Sequence, residues 1–230
     1  MRIVERPSPN QDARGGVGVD MLVLHYTGMT SGEAALARLC DPAAKVSAHY
    51  TIDEDGTIYA MVPEGQRAWH AGLSFWAGAR DITARSIGIE LVNPGHEFGY
   101  RPFPAAQVGA LTALCRRILE RYSIPAWRVL GHSDVAPARK DDPGELFPWA
   151  GLAAAGIGFW AAPGIDPGAA AMASLLARYG YDPEVPLEKT VTAFQRHFRP
   201  SRVDGMADHE TRVILSGLIA AFDAASGARA

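Results

Sequence analysis

Cysteine is scarce in this sequence: Cys40 and Cys115 are the two in 230 residues, too few for a disulfide framework. Both fall in apolar helical patterns, at 34–40 and 108–119, so buried free thiols are expected, the common fate of a small, weakly polar side chain. Long hydrophobic runs are missing too. Nothing approaches the roughly 20 apolar residues that a membrane span needs. The start, Met1-Arg2-Ile3-Val4-Glu5-Arg6-Pro7, offers no apolar export segment and no lipid-attachment cysteine. The chain as given therefore reads as soluble, with the cytoplasm as the expected compartment and the periplasm as the alternative if the sequence is a trimmed piece. Charge of one sign is also weak. A net charge of −3 leaves no broad cationic field, which disfavours binding to a nucleic-acid backbone. Tandem repeats, low-complexity tracts and the H-E-x-x-H metal helix are absent, and nothing indicates a protein partner.

What is present is periodicity broken by turns. Residues 1–20, with Pro7, Pro9, Gly15, Gly16 and Gly18, read as an irregular lead-in. Met21 to Thr27 is a continuous apolar run ended by Gly28, the pattern of a buried strand with His25 near its end. Ser31, Gly32 and Glu33 could open a short helix to Cys40. The segments 48–52 and 57–62 flank Asp55-Gly56, a strong hairpin signal. Ser86 to Val92 is a second buried strand, and Pro104 to Tyr122 carries Val108, Leu111, Leu114, Cys115, Ile118 and Leu119 at helical spacing. The fold expected is α/β, a mixed sheet covered by helices.

The stretch Val129-Leu130-Gly131-His132 through Lys140-Asp141-Asp142-Pro143-Gly144 suits a metal-ligand loop: an apolar run delivers a histidine to its polar end, and acidic residues follow against a turn. His25 ends a similar run. Two imidazoles and the Asp142 carboxylate would supply the three protein ligands of a catalytic zinc, with a fourth position for water. A packed histidine is the commoner use of either residue, so spacing by itself leaves zinc open. Glu90 adds weight, since a carboxylate inside an apolar strand costs several kcal/mol unless paired or protonated, and beside a metal it could take a proton from water. Lys140 could meet a developing oxyanion, or serve as a solvated loop charge. Asp134 and Asp141 read as structural, and His49 as a hydrogen-bonded core histidine. Trp69 and His70 could line a binding groove, or pack.

Three segments, Ala68-Trp69-His70-Ala71-Gly72, Ser86-Ile87-Gly88-Ile89-Glu90-Leu91 and Ala136 to Gly144, resemble the zinc N-acetylmuramoyl-L-alanine amidases of the AmpD and AmiD type, in order and spacing, over roughly residues 20–160. The continuation from Leu146-Phe147-Pro148-Trp149 to Gly156-Ile157-Gly158 is more similar to the AmiD branch. The resemblance implies an amidase and peptidoglycan-recognition-like fold, zinc on His25, His132 and Asp142, Glu90 as general base and Lys140 as oxyanion partner. It implies hydrolysis of the amide between muramic acid and L-alanine in peptidoglycan or in (anhydro-)muropeptides. The arginines that the AmpD branch carries before the hairpin glycine are replaced here by Asp53-Glu54-Asp55, which argues against a narrow AmpD-like preference. The alternative is a peptidoglycan-recognition protein that binds without cutting, but such proteins typically lose a metal ligand and all three are present here.

Residues 1–160 are expected to form the catalytic domain, 161–168 a Pro/Gly linker and 169–230 a small three-helix bundle. Phe194-Gln195-Arg196-His197-Phe198 and Asp204-Gly205 make this last part similar to a peptidoglycan-binding module. Since every matched catalytic position precedes the linker, residues 1–160 are expected to act on small fragments unaided.

Overall fold

Met21–Tyr26 forms a strand flanked on both sides, and its unbroken apolar run follows from that position. The computed structural model describes residues 2–227. Its strands are β1 (Ile3–Glu5), β2 (Gln11–Ala13), β3 (Met21–Tyr26), β4 (Tyr50–Ile52), β5 (Ile58–Ala60), β6 (Gln66–Ala68), β7 (Phe75–Trp76), β8 (Ala79–Arg80), β9 (Ser86–Leu91) and β10 (Val129–Gly131). Its α-helices are α1 (Gly32–Cys40), α2 (Ile82–Arg85), α3 (Gly95–Phe98), α4 (Ala105–Arg121), α5 (His132–Val135), α6 (Trp149–Ala154), α7 (Met172–Tyr179), α8 (Leu187–Phe198) and α9 (His209–Gly227). The main sheet has six strands in the order β1-β5-β4-β9-β3-β10. Within it β4, β9, β3 and β10 run parallel, while β5 is antiparallel to β4 across the expected hairpin. This is the expected mixed sheet with helical cover.

The lead-in departs from expectation. Ile3–Glu5 pairs with β5 at the sheet edge, and Gln11–Ala13 pairs with β6. Three-residue strands are too short to show a period, and only their partners reveal them.

Alternation assigns the two faces of the sheet. Leu22 and Leu24 of β3, Ile87, Ile89 and Leu91 of β9, and Val129 of β10 share a core with Leu111, Leu114, Cys115 and Ile118 of α4. These α4 positions repeat at helical spacing, so one stripe covers the face. Gln107 fastens the helix to the strand ends, its Nε2 donating to the carbonyls of Ile52 at 2.9 Å and Val92 at 3.0 Å. Both cysteines are free, Cys115 buried in this layer and Cys40 half-buried.

The opposite face carries Met21, Val23 and Leu130, and these pack with Trp76 and Val135 against Tyr179, Tyr181, Phe194, Phe198 and Leu218. One continuous core therefore crosses the expected linker. The linker itself lies on α9, with the Gly164 N–H donating to the Val213 carbonyl at 2.7 Å. Inside the helical region the two pieces noted in the sequence meet, because Gln195 Oε1 accepts from the N–H groups of Asp204 and Gly205 at 2.9 and 2.8 Å. No described helix is long and apolar enough to cross a membrane.

Candidate metal centre and active site

Parallel pairing sets His25 of β3 directly beside Glu90 of β9, so both side chains leave the same face of the sheet, about 4.8 Å apart at the backbone. On the other flank Gly131 of β10 pairs with Leu24, which puts the next residue, His132, alongside His25. Glu90, His25 and His132 thus form a row across the carboxyl ends of three parallel strands, the usual place for a ligand crevice in such sheets. The loop after α5 returns Asp142 to the row, with the Ser133 N–H donating to the Asp142 carbonyl at 2.9 Å.

The three expected ligands meet closely. His25 Nδ1 lies 3.0 Å from His132 Nδ1 and 3.0 Å from Asp142 Oδ2, and His132 Nδ1 lies 3.1 Å from the same oxygen. All three residues are buried. A tetrahedron around zinc, with ligands at about 2.0–2.1 Å, has edges of about 3.3 Å, close to these separations.

The outer hydrogen bonds decide where the protons are. His132 Nε2 faces the Ala71 carbonyl at 3.1 Å; a carbonyl only accepts, so Nε2 carries a hydrogen, and the neutral ring that a metal ligand must be has its lone pair on Nδ1. For His25 the chain is longer. Ser86 Oγ donates to the Ile82 carbonyl at 2.7 Å and therefore accepts from His70 Nε2 at 3.1 Å. His70 Nδ1 is left as an acceptor for His25 Nε2–H at 3.0 Å, and His25 Nδ1 points a lone pair at the centre. Burial holds both rings neutral, lowering His25 to about 4, helped by His132, and His70 well below its ordinary value, helped by His25. Three lone pairs within about 3 Å of one another with no hydrogen among them is a donor set for a cation.

Beside them the Oε2 atom of Glu90 is sealed from solvent and has no hydrogen-bond partner among the described residues. Burial, and then the charge of Asp142, raise this carboxyl well above its usual range, against the pull of Lys140. The row opens into a cleft of about 540 Å³ lined by Trp69, Glu90, His132, Lys140 and Asp142, with Tyr26 and Phe98 on its walls. The Lys140 ammonium makes no ion pair among the described residues while facing this cleft. Trp69 is half-buried in the wall. His70 shows the cleft only a sliver of surface and is chiefly occupied with His25 and Ser86.

The remaining polar residues have other partners. His49 accepts from the Gly88 N–H at 3.0 Å and donates to the Gln66 carbonyl at 3.1 Å, so it is the core histidine that was expected. Asp141 pairs with Arg196 at 2.9 Å near the surface. His96 bridges Tyr26 and Glu145, and His209 binds Asp166. Sequence reasoning missed Ser86, whose role appears only through His70. It also missed Arg139, whose guanidinium donates to the Ala71 carbonyl at 2.6 Å and the Leu73 carbonyl at 3.0 Å, tying the 68–73 segment to the ligand loop. Neither has a local signal, because their partners lie 16 and more than 60 positions away.

Known proteins share this arrangement of chain. The curated AmiD N-acetylmuramoyl-L-alanine amidase of Escherichia coli K12 is 41% identical over 87% of this chain and 82% of its own length. The AmpD 1,6-anhydro-N-acetylmuramyl-L-alanine amidase of the same organism is 36% identical over 63% of this chain and 86% of its own length. A solved structure of AmiD from E. coli in complex with the substrate anhydro-N-acetylmuramic acid-L-Ala-D-γ-Glu-L-Lys superposes with a TM-score of 0.81 at 39% identity, covering 92% of this chain and 91% of that one. Residues 15–145, which hold the whole row and the ligand loop, match the Amidase_2 family, and this chain belongs to that family, the N-acetylmuramoyl-L-alanine amidases.

Proposed function

We propose that this amidase is zinc-dependent and that His25, His132 and Asp142 hold the metal, with the open side of the site facing the cleft. The observation that carries this reading is the convergence of two imidazole nitrogens and a carboxylate oxygen within about 3 Å of one another, beside a carboxylate whose buried Oε2 has no partner among the described residues. Zinc bound there would polarise the scissile carbonyl and make water more acidic.

The chain's own residues do the rest. The bond cut is the amide between the lactyl carbonyl of N-acetylmuramic acid, or its anhydro form, and the nitrogen of L-alanine. Glu90 takes a proton from the attacking water at Oε2 and returns it to the leaving nitrogen, which departs as an amine while the lactyl group becomes a carboxylate. Lys140 places its ammonium at the cleft wall against the oxyanion of the tetrahedral intermediate. Trp69 offers an apolar face to the substrate. His70, through Ser86, keeps the lone pair of His25 aimed at the metal. The AmiD complex, with its anhydro-N-acetylmuramyl peptide, supports a soluble muropeptide as one substrate of this chain. We further propose, from the likeness of 169–230 to a peptidoglycan-binding module, that the helical region adds retention on polymeric wall.

Metal analysis of purified protein is expected to return about one zinc per chain. Mass spectrometry of an anhydro-muropeptide digest is expected to show free stem peptide. Asp142→Ala should lose both the zinc and the cleavage, and Lys140→Ala should lose turnover with the zinc retained. Full zinc content in Asp142→Ala would remove that residue from the site.

A further inference from the structure

Asp134 lies two positions after His132, within the single turn of α5, and it is almost fully buried. A carboxylate in such a place needs its lone pairs met, and three donors meet them. One comes from its own turn, the Gly131 N–H at 2.7 Å on Oδ2. The other two come from beyond the expected linker: the Tyr181 hydroxyl donates to Oδ1 at 2.6 Å, and His197 Nδ1–H donates to Oδ2 at 2.7 Å. We infer that Tyr181 and His197 of the C-terminal helical region are positioning residues for the metal site, which clamp the Asp134 carboxylate and through it hold the α5 turn and His132 in place.

The surroundings fit a clamp. The His197 ring stacks on Trp149, with centroids 3.8 Å apart and planes 18° from parallel. Trp149 in turn closes on Gly131, where an added Cβ would stand 3.3 Å from the indole and 2.8 Å from Pro143, the residue after Asp142. The hydroxyl end of Tyr181 reaches the carboxylate while its ring packs edge-on to Trp76 at 4.9 Å. The residue next to His197, Arg196, pairs with Asp141 at 2.9 Å. Helix α8 therefore touches the ligand loop both beside His132 and beside Asp142. The Arg196–Asp141 pair, whose carboxylate is open to solvent, contributes little; the buried Asp134 contacts are directional and carry the effect. Because α5 is one turn long, it has no helical length of its own to hold its orientation.

This inference rests on the reading of His25, His132 and Asp142 as a metal site. Its test uses the full chain. The zinc dissociation constants of metal-free Tyr181→Phe and His197→Leu are measured by chelator competition well below their melting temperatures, alongside amide exchange at Gly131 and Ser133 without metal. Both variants are expected to fold, to bind zinc about 10–100-fold more weakly and to exchange these amides faster. His197→Asn, which keeps a donor near the position of Nδ1, should recover most of the affinity. Leu218→Ala, in the apolar core of the same helical region, should lower the melting temperature and leave the zinc constant unchanged. Wild-type zinc affinity and exchange in Tyr181→Phe and His197→Leu, with a melting temperature lowered as in Leu218→Ala, would reduce the contacts to packing and overturn the inference alone. A wild-type chain that binds no zinc would overturn the metal reading and the inference together.

Discussion

Replacing Gly88 by alanine should damage the metal site from behind, without touching a ligand. Gly88 lies in β9 on the face that carries Glu90 and Ser86, and its backbone is not in the left-handed region, so alanine adds no backbone strain. The added Cβ would stand 2.6 Å from Cδ2 of His70 and 2.7 Å from its Nδ1, closer still to Cγ, where carbon contacts normally settle at about 3.5–4.0 Å. The ring must therefore move by roughly 1 Å. It has no free direction, being bonded to Ser86 on one side and His25 on the other and set edge-on against both His25 and His49. Overpacking of this kind costs about 1–3 kcal/mol, which in a chain of this size lowers the melting temperature by a few to about ten degrees. The lost orientation of His25 should weaken zinc binding about 10–100-fold, equivalent to about 1.4–2.8 kcal/mol. Thermal melts in chelator measure the first effect, and chelator competition the second. A Gly88→Ala, His70→Ala double variant separates them, because removing the ring relieves the clash without restoring the partner of His25. Stability should then recover while zinc affinity stays low. If Gly88→Ala melts and binds zinc like the parent protein, His70 is not held as described, and the argument that it aims the lone pair of His25 fails.

Glu90→Gln keeps the shape of the side chain and removes the base. It should retain zinc and fold while turnover on a muropeptide falls about 10²–10⁴-fold, and near-parental turnover would mean that another group handles the proton. Stripping the metal should lower the melting temperature, because a ligand present at a hundred times its dissociation constant stabilises by about 2.7 kcal/mol; an unchanged melt after verified removal would argue against a site formed from folded-state ligands. Ending the chain at residue 160 bares the face bearing Met21, Val23, Trp76, Leu130 and Val135. At about 1.5–3 kcal/mol for each such side chain, the loss reaches the order of a whole domain's stability. The shortened chain should therefore fold poorly, against the expectation that residues 1–160 act unaided, and a soluble product with parental zinc affinity would refute this.

Much of the fold was legible because its signals are local. The apolar runs of β3 and β9, the Asp55-Gly56 hairpin and the α4 stripe each satisfy one period within a short window. The oddity of Glu90 was legible too, since a carboxylate in such a strand is costly wherever the strand ends up. The candidates His25 and His132 could be named from their places at the ends of apolar runs, and Asp142 from its place against a Pro-Gly turn, but their meeting at about 3 Å depends on strand order. No residue announces that β3 lies between β9 and β10. The lead-in strands were hidden by their brevity. The hydrogen bonds that give each imidazole its tautomer were hidden as well, because Ser86, His70 and His25 become neighbours only when β9, the 68–73 segment and β3 are packed. The linker composition at 161–168 marked a change of segment and suggested two separate parts. Only the tertiary structure set Tyr181 and His197 on Asp134, because a buried carboxylate takes its donors from whatever is near in space, and proximity in space is a property of the packed chain.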